Sequence, residues 1–249
     1  MKVEEILNRL KTNGWLPEND INSFIKDIKW CIEQRTTPAD INDIFSAFVN
    51  LTPKDVKVLI IGQDPYPDIK KAHGLAFSYK DGSIPAEDSL RNIFDKIKDD
   101  LGTDNTHTNL SVWKEQGVLL LNTSLTYQKC NKNEHKKRWK KFINCVIDNL
   151  INEKKKNSSE PLFIMLWGRD ANKLTPLTTA KEKRWNYSNI KISRSSHPSN
   201  NYGACNKKLK SANNTAFFDK DKDYQPFQDC NKFLRENGVV EIDWNKKTE

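Results

Sequence analysis

The 249-residue chain has no apolar run of 18 residues, so a membrane span is not expected. Its opening stretch, Met1 to Trp15, sets acidic and basic residues among the apolar ones, and a signal peptide is not expected there. There is no C-x-x-C pair: the cysteines Cys31, Cys130, Cys145, Cys205 and Cys230 are scattered. That scatter argues against an iron–sulfur cluster, which needs four well-placed thiolates. An odd cysteine count without an export signal points to reduced thiols in an intracellular protein. No internal repeat and no Pro- or Ser-rich linker divides the chain, so residues 1–249 are expected to form a single domain with a large core.

Positive charge is what the chain has in excess. Lys and Arg number 41 against 33 Asp and Glu, a formal net charge of +8. Basic residues crowd at Lys129 to Lys141, Lys154 to Lys156 and Lys207 to Lys210. Such a surface suits a phosphate-backbone partner, although a charge run by itself also fits a solvated face. The stretch from Lys154 to Glu160 reads as a surface loop.

Chemistry concentrates at the ends of four apolar runs. Val56 to Ile61 is apolar apart from Lys57, and reads as a buried strand of a parallel sheet. It stops at Gly62, and Gln63, Asp64, Pro65, Tyr66 and Pro67 follow. Two prolines this close cannot continue a strand, so Asp64 is expected on a stiffened loop past the strand's carboxyl end. Three further runs repeat the design. Val118 to Leu121 ends at Asn122, Thr123 and Ser124; Leu162 to Trp167 turns at Gly168; Ile190 and Ile192 lead to Ser195, Ser196, His197 and Pro198. Helix-like charged stretches, Ser89 to Leu101 and Lys136 to Lys154, lie between. Strands alternating with helices imply a parallel sheet with right-handed crossovers. In such a sheet the strand ends share one edge, where ligands bind, so Asp64, Asn122 and His197 are expected to converge.

At these residues the chain resembles the family 1 uracil-DNA glycosylases. The matching pieces are GQDPYP (Gly62 to Pro67), HGLAFS (His73 to Ser78), IPAEDSLRNIF (Ile84 to Phe94), GVLLLNTSLT, LWG around Trp167, and SHPS (Ser196 to Ser199). They stand in the family's order at comparable spacing. The resemblance implies a three-layer α/β/α fold with a central four-stranded parallel sheet. It also implies a monofunctional enzyme that flips deoxyuridine out of DNA, single- or double-stranded, and hydrolyses its N-glycosidic bond. Related families carry an iron–sulfur cluster that the scattered cysteines here do not support. No metal or cofactor is expected, and no lysine in the motifs stands at an obvious nucleophile position for a Schiff-base step.

The residue types fit that chemistry. Cleavage leaves positive charge on the sugar and negative charge on the base, so an anion is needed by the sugar and donors by the base. The resemblance assigns Asp64 to the sugar and the attacking water, and a neutral His197 to the uracil O2. Asn122 carries one acceptor and two donors, which match uracil N3–H and O4 and mismatch cytosine. Tyr66 is assigned to C5, where it excludes a thymine methyl, Phe77 to stacking, and Gln63 to backbone contacts near the base oxygens. His73 reads as structural. Ser89, Ser196 and Ser199 are the candidates for gripping phosphates, and Ser89 also suits a helix N-cap.

The chain departs from the family at three places. Pro67 stands where GQDPYP often ends in His, with little effect expected. Glu87 and Asp88 make the IPAED loop more acidic than usual, which should weaken DNA binding slightly. Asn201 occupies the position of the leucine that usually wedges into the vacated stack, and Tyr202, on a long loop from Ser199 to Pro226, is the expected substitute. A monomer is expected, open to inhibition by an acidic DNA-mimicking protein. The rival readings are an enzyme of the superfamily acting on another damaged base, and a non-enzymatic DNA-binding polymerase accessory factor on the same fold.

Overall fold

The computed structural model describes residues 2–17, 21–81, 89–157, 159–174, 187–199, 216–217 and 224–247. Along them run α1 (Val3–Thr12), α2 (Asn22–Glu33), the short α3 (Ile41–Ile44), β1 (Val58–Gly62), α4 (Ser89–Leu101) and the short α5 (Ser111–Lys114). There follow β2 (Val118–Asn122), α6 (Lys132–Lys156), β3 (Leu162–Trp167), the short α7 (Arg169–Asn172), β4 (Ile190–Ser195) and α8 (Pro226–Glu236). The four strands form one parallel sheet in the order β2-β1-β3-β4.

Every residue of β1, β2 and β3 is buried, which explains their unbroken apolar runs: both faces of the sheet are covered. On one face α8 lays Phe233 against Phe163 and Phe227 against Trp167, two residues of β3 on the same side of the pleat. Asp100 of α4 accepts the backbone N–H of Phe227 at 3.1 Å and pairs with Lys96 at 3.0 Å, so α4 is fixed to the start of α8. The other layer is built on α6. Its buried residues recur at helical spacing, through Trp139, Phe142, Val146 and Leu150. Phe142 meets Phe24 of α2 edge-on at 5.6 Å and also contacts Phe45 and Phe48. The fold is the expected three-layer α/β/α arrangement. Among the described residues no helix is long and apolar enough to cross a membrane.

Two boundaries differ from the sequence expectation. Strand β1 begins at Val58 rather than Val56, after Lys57 and Val58 both donate to the Gly117 carbonyl. Helix α6 is longer than Lys136 to Lys154, and Lys154 is not on a surface loop. Its side chain is 2 % exposed, with Nζ donating to the Lys54 carbonyl at 2.7 Å and lying 3.5 Å from Glu160. A lysine can be buried when its ammonium is satisfied in this way, and nothing in the local pattern distinguishes such a lysine from its half-buried neighbour Lys155 and exposed neighbour Lys156.

Candidate active site

The parallel register brings the strand ends level. Gly62 of β1 lies directly beside Asn122 of β2. Beyond them opens a cleft of about 180 Å³ whose lining includes Gln63, Asp64, Tyr66, Phe77, Asn122 and His197. Ser89, at the start of α4, Ser199, His73 and Lys132 also line it.

Gly62 makes the central space. A Cβ there would collide with Asn122 Oδ1 and come within 2.8 Å of Ala76 Cβ and 3.4 Å of Phe77 Cε2. The missing side chain thus lets the Asn122 amide, which is buried, stand at the floor of the cleft. Phe77 forms a wall. It is buried and holds the left-handed φ of 64°, rare for an aromatic residue and sustained only by its surroundings. Its ring lies 5.5 Å from Trp167 and 6.0 Å from His197. The Tyr66 hydroxyl donates to the Phe77 carbonyl at 3.2 Å, and the Tyr66 ring meets Tyr79 edge-on at 5.0 Å, so ring and wall are braced together.

The loop that carries Asp64 is tied to the end of β2. The Gln63 carbonyl accepts from Thr123 Oγ1 at 2.6 Å and from the Ser124 N–H at 3.2 Å. That carbonyl is therefore committed to the scaffold. The Asp64 side chain is 12 % exposed and forms an ion pair with Lys132, the first residue of α6, at 2.8 Å between Oδ2 and Nζ.

His197 faces Asp64's cleft from the loop after β4. Its Nδ1 accepts the Ser199 backbone N–H at 3.1 Å. An imidazole nitrogen that accepts cannot carry a proton, so the neutral ring bears its hydrogen on Nε2. Burial pushes its pKa from 6.5 to about 4, with Asp170 opposing and Lys132 assisting that shift. Gly168, at φ 88°, gives the ring its seat, since a Cβ there would fall 2.9 Å from His197 Cβ. The neighbouring Pro198 carbonyl accepts from Asn92 Nδ2, which ties this loop to α4. His73 is buried with Nε2 at 2.7 Å from Ser78 Oγ, and Ser78 Oγ accepts the Leu110 N–H at 2.9 Å. Burial lowers its pKa to about 4 as well. These bonds fit the structural role expected for it.

One candidate from the sequence is placed outside the cleft lining. Ser196 does not line the cleft: it is buried, and its Oγ accepts the Phe217 N–H at 2.9 Å, beneath the ring contact of Phe217 with Trp167 at 5.2 Å. Lys132, which also lines the cleft, lies outside the sequence motifs. Helical charge runs look alike in sequence, and only the packing of α6 beside the β1 loop selects this member. Asn201, Tyr202, Glu87 and Asp88 lie outside the described residues.

Fold and cleft together define an α/β protein with a carboxylate, a neutral imidazole and an amide around one pocket, groups suited to hydrolysis of an N-glycosidic bond. Comparison with known proteins agrees. The model of the Uracil DNA glycosylase superfamily matches residues 49–224. A uracil-DNA glycosylase of Bacillus cytotoxicus is 40% identical over 250 residues, covering 96% of this chain and 98% of that protein. One of Agathobacter rectalis is 37% identical, covering 90% and 88%. Among solved structures, the mimivirus uracil-DNA glycosylase superposes with a TM-score of 0.71 at 23% identity, covering 91% of this chain and 82% of that one. A mimivirus variant solved in complex with UGI gives 0.70, covering 98% and 88%. The chain belongs to the uracil-DNA glycosylase superfamily.

Proposed function

We propose that this cleft excises uracil from DNA by hydrolysis, with Asp64 and His197 dividing the charge that the reaction creates. The observation that carries the reading is that Asp64, Asn122 and His197, far apart in sequence, line one pocket at the carboxyl edge of the sheet. Asp64 lies under the sugar, orients the attacking water and stabilises the positive charge at C1′. His197 donates from Nε2 to the uracil O2 as negative charge gathers there. The Ser199 N–H on Nδ1 fixes that tautomer. Its lowered pKa keeps the ring neutral across the physiological range. Asn122 pairs with N3–H and O4, Phe77 stacks on the base, and Tyr66 closes the space at C5.

The target nucleotide must leave the duplex to reach this pocket. Ser89 and Ser199 line the mouth and take the flanking phosphates, with Ser89 at the amino end of the 13-residue α4, where backbone N–H groups favour anions. The wedge role falls to the stretch of sequence with Asn201 and Tyr202, outside the described residues. Lys132 is held as the cation of an ion pair, which suits release of the base by water rather than by an amine. An acidic DNA-mimicking protein would compete for the same mouth, as UGI binds the mimivirus relative.

The test is strand scission, after alkali, of an oligonucleotide with one uracil, single-stranded and opposite guanine, with EDTA present. Uracil-specific scission that collapses by several orders of magnitude in Asp64→Asn, and falls about 10²- to 10³-fold in His197→Gln, is the expected result. Borohydride should trap no protein–DNA adduct. DNA binding without scission would overturn the enzyme reading in favour of an accessory factor.

A further inference from the structure

The mechanism above leaves one cleft residue without a task. Lys132 Nζ lies 2.8 Å from Asp64 Oδ2. In that position the ammonium opposes the chemistry. Asp64 is assigned to a sugar that becomes positive, and a cation touching the same carboxylate cancels much of its field and repels the developing charge.

Three features favour a pair that opens. The Lys132 side chain is 35 % exposed and the Asp64 side chain 12 %, so the ammonium can move out to the rim while the carboxylate stays inside. Lys132 is the first residue of the 25-residue α6, the end at which the helix dipole disfavours a cation. Cations one and two turns along α6 hold carboxylates outside the cleft lining. Lys136 pairs with Asp170 at 2.6 Å, and Arg138 with Asp27 at 2.7 Å and Glu134 at 2.9 Å.

We propose that Lys132 covers Asp64 in the free protein and transfers its ammonium to a phosphodiester when DNA docks. The carboxylate's charge is then exposed to the sugar only in the presence of a nucleic-acid backbone. Lys132 is on this view a positioning residue, and the inference rests on the glycosylase reading of the cleft. A lysine suits the exchange, because its compact ammonium has three donors and a flexible stem and makes no demand for a planar partner.

The experiment compares single-turnover uracil release by the wild type, Lys132→Gln and Lys132→Arg on two oligonucleotides. One is all phosphodiester, and the other carries neutral methylphosphonates on both sides of the uridine. On the first, Lys132→Gln should be slower than wild type below saturation, and the slope of log kcat/KM against log salt should shrink by about one. On the second, the wild type should slow severalfold, because the ammonium stays on Asp64, and Lys132→Gln should be the faster enzyme. Lys132→Arg should recover the wild-type salt slope. Should Lys132→Gln fail to fold, Lys132→Arg still tests the idea through its slowing on the neutral substrate. Rates that change in the same direction on both substrates, or an unchanged salt slope, would overturn the proposal. No uracil release by the wild type on either substrate would instead overturn the glycosylase reading.

Discussion

His197 and His73 show how single residues couple this site to stability. Burial lowers both pKa values from 6.5 to about 4. The unfolded chain takes up these protons first as the pH falls through 6.5. Stability is therefore whole above that value, declines between 6.5 and 4, and is level for these two groups below 4. The loss should be on the order of 2–3 kcal/mol for each histidine. Urea unfolding at pH 7 and pH 4.5 measures it. His197→Gln should show a smaller drop than wild type, with His73 and the buried His135, whose pKa is also lowered, still contributing. At this scale Asp64, Asn122 and His197 were legible, because each follows a strand-like run and carries a chemistry that a turn does not need. Lys132 was not legible. Its place in the cleft comes from one contact across the fold, and lysines stand close by in the sequence at Lys129 and Lys136.

At the scale of elements, the site is a property of strand ends in register. Gly62 and Asn122 are partners across β1 and β2, and the pocket floor exists because the first has no side chain. Gly62→Ala should cost about 1–3 kcal/mol of stability, since β1 is packed on both faces and cannot yield. Its effect on catalysis should be larger, because the new methyl displaces the Asn122 amide. We expect uracil release to fall more than tenfold at a temperature where the variant is fully folded, as followed by circular dichroism. A variant with stability lowered and turnover intact would show that the amide has room to move. The strands and the helix Ser89–Leu101 were readable from local pattern. The ends of α6 were not, because its first turn is fixed by the Asp64 loop and its last by the burial of Lys154.

For the whole molecule, charge and core have opposite addresses. The basic run of α6 begins at the cleft with Lys132, whereas Lys154 ends buried against the Lys54 carbonyl before β1, beyond the other edge of the sheet. A DNA backbone at the strand ends therefore meets the first cluster and not the second, and the cluster at Lys207 to Lys210 lies outside the described residues. Near the chain's end Trp244 packs in the core and is not among the residues that line the cleft. It is buried, meets Trp113 and Phe227 edge-on at 5.0 Å and 4.9 Å, and its carbonyl accepts from Trp113 Nε1 and Asn105 Nδ2. Trp244→Ala should cost about 3–5 kcal/mol. Its urea midpoint should drop accordingly while turnover per folded molecule is kept, which would separate this stabilising contact from the chemistry.

The sequence by itself determined the strands, their order of chemistry-bearing ends and the convergence of those ends, because burial on both faces and the handedness of βαβ crossovers leave a parallel sheet little choice. It also singled out Asp64, Asn122 and His197, which the fold brings to one pocket. The tertiary structure alone decided which nitrogen of His197 holds its proton, that Ser196 turns inward to Phe217, that Gly62 opens the floor, and that Lys132 rests on Asp64. These are contacts between segments distant in the chain. Local periodicity has no knowledge of such contacts; they are fixed only when the strands pair and the helices pack.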